Sequence, residues 1–448
     1  MLRTVETKYG KIKGIRGNNA RITAFRGIPF AKPPVGDLRW RAPQPVEPWD
    51  GVLEAYDYAP ISVQDTPGLG TDVYCKEWHV DPEIPMDEDC LYLNVWTPAK
   101  SADEKLPVLV WYFGGAFNWG YTAEMEFDGE MLARQGIVVV TVNYRVAVMG
   151  FLGHPDLTKE APDAPTNFGL LDQKAGLDWA IENIAAFGGD PDNITIAGQS
   201  AGGGSVLNQL ACKKNQGKMK RAAIFSGIIK MDDESMDIFT PTNLKAHEQK
   251  GVEFFKYLGV SSIEEARKLD AKTVRDKYGE YAQLSTDPMK MGLRFFPCDD
   301  GVTFTGDPTS ALSQSDINNV PLLTGYTTDE FVFGGINTVK ASVDATLNEA
   351  NKNFPERPLY YYCFGPTIPG YDNPGVFHSV DLWFWFETLG MCWRPFNGKH
   401  FDLARQMSGY FVNFIKTGDP NGKDHNGEEL AKWNKYKGDS NDVIKFEE

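Results

Sequence analysis

Ser200 stands in the run Ile194-Thr195-Ile196-Ala197-Gly198-Gln199-Ser200-Ala201-Gly202, where an apolar, β-branched strand breaks into G-x-S-x-G. A serine on so tight a strand-to-helix turn needs small neighbours. Side chains at 198 and 202 would collide with the flanking backbone, and the turn demands dihedrals that glycine tolerates. The strain leaves the hydroxyl exposed on a point, as a nucleophile should be. Such a five-residue string also recurs by chance as a plain turn, so the context decides. Upstream, Leu170, Leu177, Ile181 and Ile184 keep helical spacing, and Phe187-Gly188-Gly189-Asp190-Pro191 supplies a stop before the strand.

Helix, turn, strand and elbow in that order are the grammar of an α/β-hydrolase fold, in which the chain order is serine, acid, histidine. An alcohol is a weak nucleophile and needs a base within hydrogen-bond reach, oriented by a carboxylate. The order removes His79 and His154, and an acid near residue 330 removes His247. His400 opens the final amphipathic helix and His425 sits in a polar turn. His378 follows a strand through a Gly/Pro/Asp/Asn loop that can overhang the elbow, and is the expected base. The acid should end the strand that begins at Val320, which runs through Thr327 and Thr328 into Asp329-Glu330; either carboxylate could serve. Asp299-Asp300-Gly301 reads first as a turn. Phe113-Gly114-Gly115-Ala116-Phe117 ends another strand. Its small residues let the main chain approach a carbonyl, so the N–H groups of Gly115 and Ala116, with that of Ala201, are assigned to an oxyanion hole.

These groups require a mainly parallel central sheet flanked by helices. Runs at 91–96, 108–113, 137–142, 194–197 and 222–226 supply strands, and those at 108–113 and 137–142 are apolar throughout, as strands buried on both faces should be. The expected organisation is one catalytic domain over 1–448. It carries an N-terminal lobe of short strands at about 1–60 and helical cap or regulatory insertions at about 230–295 and 335–358. A last long helix at about 401–416 puts Leu403, Met407, Phe411 and Phe414 on one stripe.

The net charge of −16 argues against nucleic-acid partners, and the basic run from Lys213 to Arg221 reads as a solvated loop. No stretch approaches the ~20 apolar residues of a membrane span. The first residues turn polar at once, so a cytoplasmic protein is expected. Six scattered cysteines without C-x-x-C, and no H-E-x-x-H, phosphate loop or dinucleotide fingerprint, leave no metal and no cofactor to expect. Asn193-Ile194-Thr195 has the form of a glycosylation site but leads into a buried strand. Whether the chain is a monomer or a weak dimer is left open.

The chain resembles the type-B carboxylesterase family over nearly its whole length. The resemblance rests on the serine signature from Phe187 to Gly202, on Glu88-Asp89-Cys90-Leu91-Tyr92-Leu93-Asn94, and on Phe25-Arg26-Gly27-Ile28-Pro29-Phe30-Ala31 with Pro33-Pro34-Val35-Gly36. It implies Glu330 as the acid, His378 as the base, and structural ion pairs Arg39 with Glu88 and Arg145 with Asp172. The departures are Phe113 for the usual His or Tyr, Ala116 for the third glycine, and Phe331 where glycine often follows the acid. Ser62 stands where the family's disulfide partner of Cys90 falls, so that bridge is expected to be absent, with Cys75 able to substitute only through a different loop. Gln199 replaces the glutamate that cholinesterases carry before the serine, which weakens a cholinesterase reading.

The expectation is therefore hydrolysis of small-molecule carboxylic esters through an acyl-enzyme, with Phe117, Trp119, Phe331, Trp383 and Trp385 lining a gorge for aromatic or medium-sized groups. Feruloyl-type (hydroxycinnamoyl) esters are the second substrate class. From a different class, relatives that lost the serine act as non-catalytic binding modules, and their hallmark is a broken triad.

Overall fold

The computed structural model describes residues 1–229, 241–284, 293–315 and 318–447, so parts of the expected 230–295 insertion lie outside the described residues. The frame is a 12-stranded sheet. Its strands are β1 (Thr4–Thr7), β2 (Gly10–Arg16), β3 (Thr23–Pro29), β4 (Val52–Ala55), β5 (Tyr92–Thr97) and β6 (Leu106–Tyr112). They continue as β7 (Val138–Val142), β8 (Gly189–Gln199), β9 (Arg221–Phe225), β10 (Leu322–Thr327), β11 (Leu359–Phe364) and β12 (Ile444–Phe446). The spatial order is β1-β2-β3-β5-β7-β6-β8-β9-β10-β11-β12, with β4 beside β2. From β7 to β12 every neighbouring pair is parallel, whereas β1, β2, β3, β5 and β7 pair antiparallel. The N-terminal strands thus extend the same sheet through β3 and β5.

Alternation along β6 explains how the sheet is covered. Val108, Val110 and Tyr112 face one apolar cluster, and Leu109 and Trp111 face the other. The first face is covered by α1 (Phe168–Asn183), α2 (Ala201–Ala211) and α5 (Thr338–Asn353), through Leu177, Val206, Leu210, Val343 and Leu347. The second is covered by α6 (Gly398–Thr417), whose Met407, Phe411 and Phe414 are fully buried. The stripe read from the sequence is this contact, and Gly418 ends the helix at φ 82°. α3 (Leu244–Leu258) and α4 (Ala271–Ala282) lie over a third cluster, where Phe254, Phe255 and Tyr278 pack with Phe117, Phe151 and Phe295. Among the described residues no helix is long and apolar enough to cross a membrane.

Candidate active site

Parallel strands deliver the chemistry to one edge, because the segments that follow β6, β8, β10 and β11 all leave from carboxyl ends. Ser200 follows β8 with φ 55° and ψ −124°, a strained conformation for a residue with a side chain. Its N–H donates to Phe225 O at 2.9 Å, pinning the elbow to β9. The glycines are sterically required. A Cβ at 198 would sit 2.8 Å from Tyr112 O, and one at 202 would sit 2.7 Å from Phe113 O and closer still to Tyr112 O.

Beyond β10, Glu330 is buried and its Oε1 accepts from Ser226 Oγ and from Thr327 N, each at 2.8 Å. Its Oε2 accepts from His378 Nδ1, in the loop after β11. Asp329, the alternative acid, points elsewhere: its Oδ2 accepts from Val376 N at 2.7 Å and tethers the loop that carries His378. Asp300 caps a turn through the N–H groups of Val302, Thr303 and Phe304. With Nδ1 donating to Glu330, Nε2 of His378 presents its lone pair and accepts from Gln199 Nε2 at 3.2 Å. Ser200 Oγ makes no hydrogen bond among the described residues, and Ser200 and His378 line one cavity. The Phe331 ring lies 4.6 Å from the imidazole, centroid to centroid. Three residues past His378, fully buried Asp381 accepts from Tyr362 Oη at 2.7 Å and Trp385 Nε1 at 3.1 Å, and burial pushes its carboxyl up to about 6.

Gly115 and Ala116 take φ of 99° and 49° in the loop after β6. Their N–H groups, and that of Ala201 at the start of α2, have no protein acceptor among the described residues. Three free donors beside the elbow suit a developing negative charge. Side chains unrecognised in the sequence hold this loop. Gln64 Oε1 accepts from Gly120 N at 2.8 Å while its Nε2 donates to Gly120 O at 3.0 Å. Asn118 donates to Ala116 O at 2.8 Å and accepts from Tyr278 Oη of α4 at 2.8 Å. That hydroxyl in turn accepts from Phe295 N, also at 2.8 Å.

The cavity has a volume of about 510 Å³ and brings together Ser200, His378, Gly115, Ala116, Trp119 and Phe331 on its wall. Phe117, Trp383 and Trp385 differ from expectation. Phe117 stacks edge-on against Phe151 at 5.4 Å. Trp383 and Trp385 are wholly buried in the core, donating to Glu77 Oε2 and Asp381 Oδ2. Four consecutive large apolar residues, Leu382–Trp385, pack onto α6 and leave only Leu382 on the wall. Besides Trp119, the cavity is lined by Trp78, in a segment the sequence reading passed over.

Near it lie Glu124 and Glu126, also unforeseen. Glu124 Oε1 takes His79 Nε2 at 3.0 Å and Tyr121 N at 2.8 Å. Burial, then the neighbouring Glu124, hold the Glu126 carboxyl well above the ordinary range. A signal was present, since both glutamates alternate with apolar residues in Tyr121–Phe127. All six cysteines are free thiols. The two ion pairs form: Arg39 Nε to Glu88 Oε1 at 2.6 Å and Arg145 Nη2 to Asp172 Oδ1 at 2.7 Å.

A sequence profile of the carboxylesterase family matches residues 2–364 and 338–448. The para-nitrobenzyl esterase of Bacillus subtilis (strain 168) is 32% identical over 469 aligned positions, taking in 93% of this chain and 90% of that protein. The cholinesterase of Mus musculus is 34% identical over 338 positions, 73% of this chain and 53% of that protein. A solved thermophilic PNB esterase superposes with a TM-score of 0.82 at 28% identity, covering 100% of this chain and 96% of that one. Matched end to end in both sequence and fold, the chain belongs to the carboxylesterase family and is a carboxylesterase.

Proposed function

We propose that this carboxylesterase works through a Ser200-His378-Glu330 triad on small to medium-sized or aromatic esters. The observation that carries the reading is the imidazole itself. Its Nδ1 proton is held by a buried carboxylate, and its Nε2 lone pair faces the cavity that Ser200 also lines. In the reaction, Nε2 exchanges its Gln199 partner for the Ser200 hydroxyl and takes that proton as Oγ attacks the ester carbonyl. Glu330 stabilises the imidazolium, and the N–H groups of Gly115, Ala116 and Ala201 receive the oxyanion. The imidazolium then returns the proton to the leaving alcohol. Water, activated by the same base, attacks the acyl-serine and releases the acid. Trp78, Trp119 and Phe331 on the cavity wall support aromatic or medium-sized groups. The six free thiols fit a reducing compartment, the cytoplasm.

Ser200→Ala tests the assignment. Turnover of p-nitrophenyl acetate should fall on the order of 10⁶-fold, and an organophosphate should label the Ser200 peptide of the parent enzyme alone. Undiminished turnover by a folded Ser200→Ala protein, or label on another residue, overturns the triad.

A further inference from the structure

Gln199 touches the imidazole on its reacting side. It ends β8 immediately before Ser200, is 2% exposed, and lines the cavity. Its Nε2 donates to His378 Nε2 at 3.2 Å. At the other end of the amide, Oε1 lies against the oxyanion loop, where a Cβ built on Gly114 would sit 3.0 Å from it. The amide therefore spans from the base to the loop that carries the Gly115 and Ala116 N–H groups. An amide nitrogen has two protons to donate. One goes to His378, and the other has no acceptor among the described residues.

This placement matters most when the leaving group departs. The Nε2–H of the imidazolium must then point at the alkoxy oxygen of the ester, along the direction that Gln199 Nε2 occupies at rest. Once Ser200 Oγ has taken the place of Gln199 on the imidazole, both amide protons are free beside the position where that oxygen gathers charge. Resting on the triad reading, we propose that Gln199 is a further catalytic residue, donating a hydrogen bond from Nε2 to the leaving-group oxygen as the C–O bond breaks. The electron pair of that bond goes to the oxygen, His378 supplies the proton that completes the alcohol, and Gln199 keeps both of its own. A carboxylate of the same length has no proton to offer there. The amide thus suits esters of alkyl alcohols, whose alkoxides leave poorly unless their charge is met.

The test uses the purified enzyme and three acetates with leaving groups of rising basicity: p-nitrophenyl, phenyl and benzyl. The readout is kcat/KM, which reports acylation alone, taken as the ratio of benzyl to p-nitrophenyl acetate within each preparation so that differences in folded fraction cancel. Gln199→Met keeps the length of the side chain and removes its N–H donors. It should lower that ratio about 10- to 100-fold, the worth of one hydrogen bond to a charged oxygen, with phenyl acetate falling between. An equal loss on all three esters, as from a residue that merely orients the imidazole, overturns the proposal. So does an equal gain, as from a residue that merely holds the imidazole back, and so do unchanged rates. Should Gln199→Met not fold, the parent alone decides, labelled with ethyl p-nitrophenyl methylphosphonate, which leaves an ethyl methylphosphonyl group on the nucleophile. In the crystal structure of that adduct the ethoxy oxygen should lie within about 3.2 Å of Gln199 Nε2, and a separation beyond hydrogen-bond reach overturns the proposal. No turnover of any ester by the parent, or label on a residue other than Ser200, would instead overturn the triad reading beneath it.

Discussion

Adding one carbon at Gly202 should cripple turnover, whereas adding it two residues along the same helix should not. At 202 the new Cβ would lie 2.7 Å from Phe113 O and nearer to Tyr112 O, closer than the 3.0 Å that real Cβ atoms keep. Both obstacles are main-chain carbonyls at the end of β6 and cannot rotate away. The elbow must therefore lift from the strand, carrying Ser200 by a fraction of an ångström up to roughly 1 Å, enough to cost on the order of 10²-fold in kcat. Overpacking adds about 1–3 kcal/mol of lost stability. At Gly204 the Cβ would instead lie 3.3 Å from the edge of the Phe117 ring, a side chain that can yield, in a helix where alanine is favoured over glycine by about 1 kcal/mol. The assay is kcat on p-nitrophenyl acetate, with urea unfolding as the stability measure. Gly202→Ala with parental kcat and stability, or equal damage from Gly204→Ala, would refute the claim that main-chain crowding positions the nucleophile.

Other perturbations probe the scaffold around the site. Asp381 has a folded pKa of about 6 against an ordinary 3.8, a gap worth about 3 kcal/mol. The folded state therefore holds the proton more tightly, and this group lowers stability as pH rises through the window from about 4 to about 6. The stability of Asp381→Asn relative to the parent should rise across that window in urea titrations; a difference independent of pH contradicts the assignment. Arg394→Met strands Glu77, which is paired to Arg394 at 2.7 Å with neither side chain exposed, and should cost about 3–5 kcal/mol. Glu77→Leu in the same chain should recover much of that in the same unfolding assay. Tyr278→Phe removes the hydroxyl shared by Asn118 and Phe295 and should lower kcat on the order of 10-fold with little change in far-UV circular dichroism.

The site's skeleton was legible because it is written locally. The elbow glycines, the Gly-Gly-Ala turn and the strand ends before Glu330 and His378 are short-range patterns with steric causes. The choice of Glu330 over Asp329 was not local, since adjacent carboxylates leave the same strand and their partners, His378 for Glu330 and Val376 N for Asp329, lie far along the chain. Trp383 and Trp385 were misread because an unbroken run of five large apolar residues, Leu382 to Phe386, has no period to distinguish a cavity wall from a core. Gln64 and Tyr278 were missed because each bonds to a loop far away in the chain, Gln64 to the main chain of Gly120 and Tyr278 to the side chain of Asn118, and a lone polar residue gives no sign of such a partner. Glu124 and Glu126 drew no reading from the sequence, and their burial is what marks them.

The bridge from α4 through Tyr278 and Asn118 to Ala116 O has a bearing on how this enzyme can diversify. A helix outside the central sheet is thereby wired to the loop we propose receives the oxyanion. Exchanging this helix would remove a support of that loop, so under the proposed mechanism a graft would disturb turnover unless a hydroxyl at position 278 travelled with it.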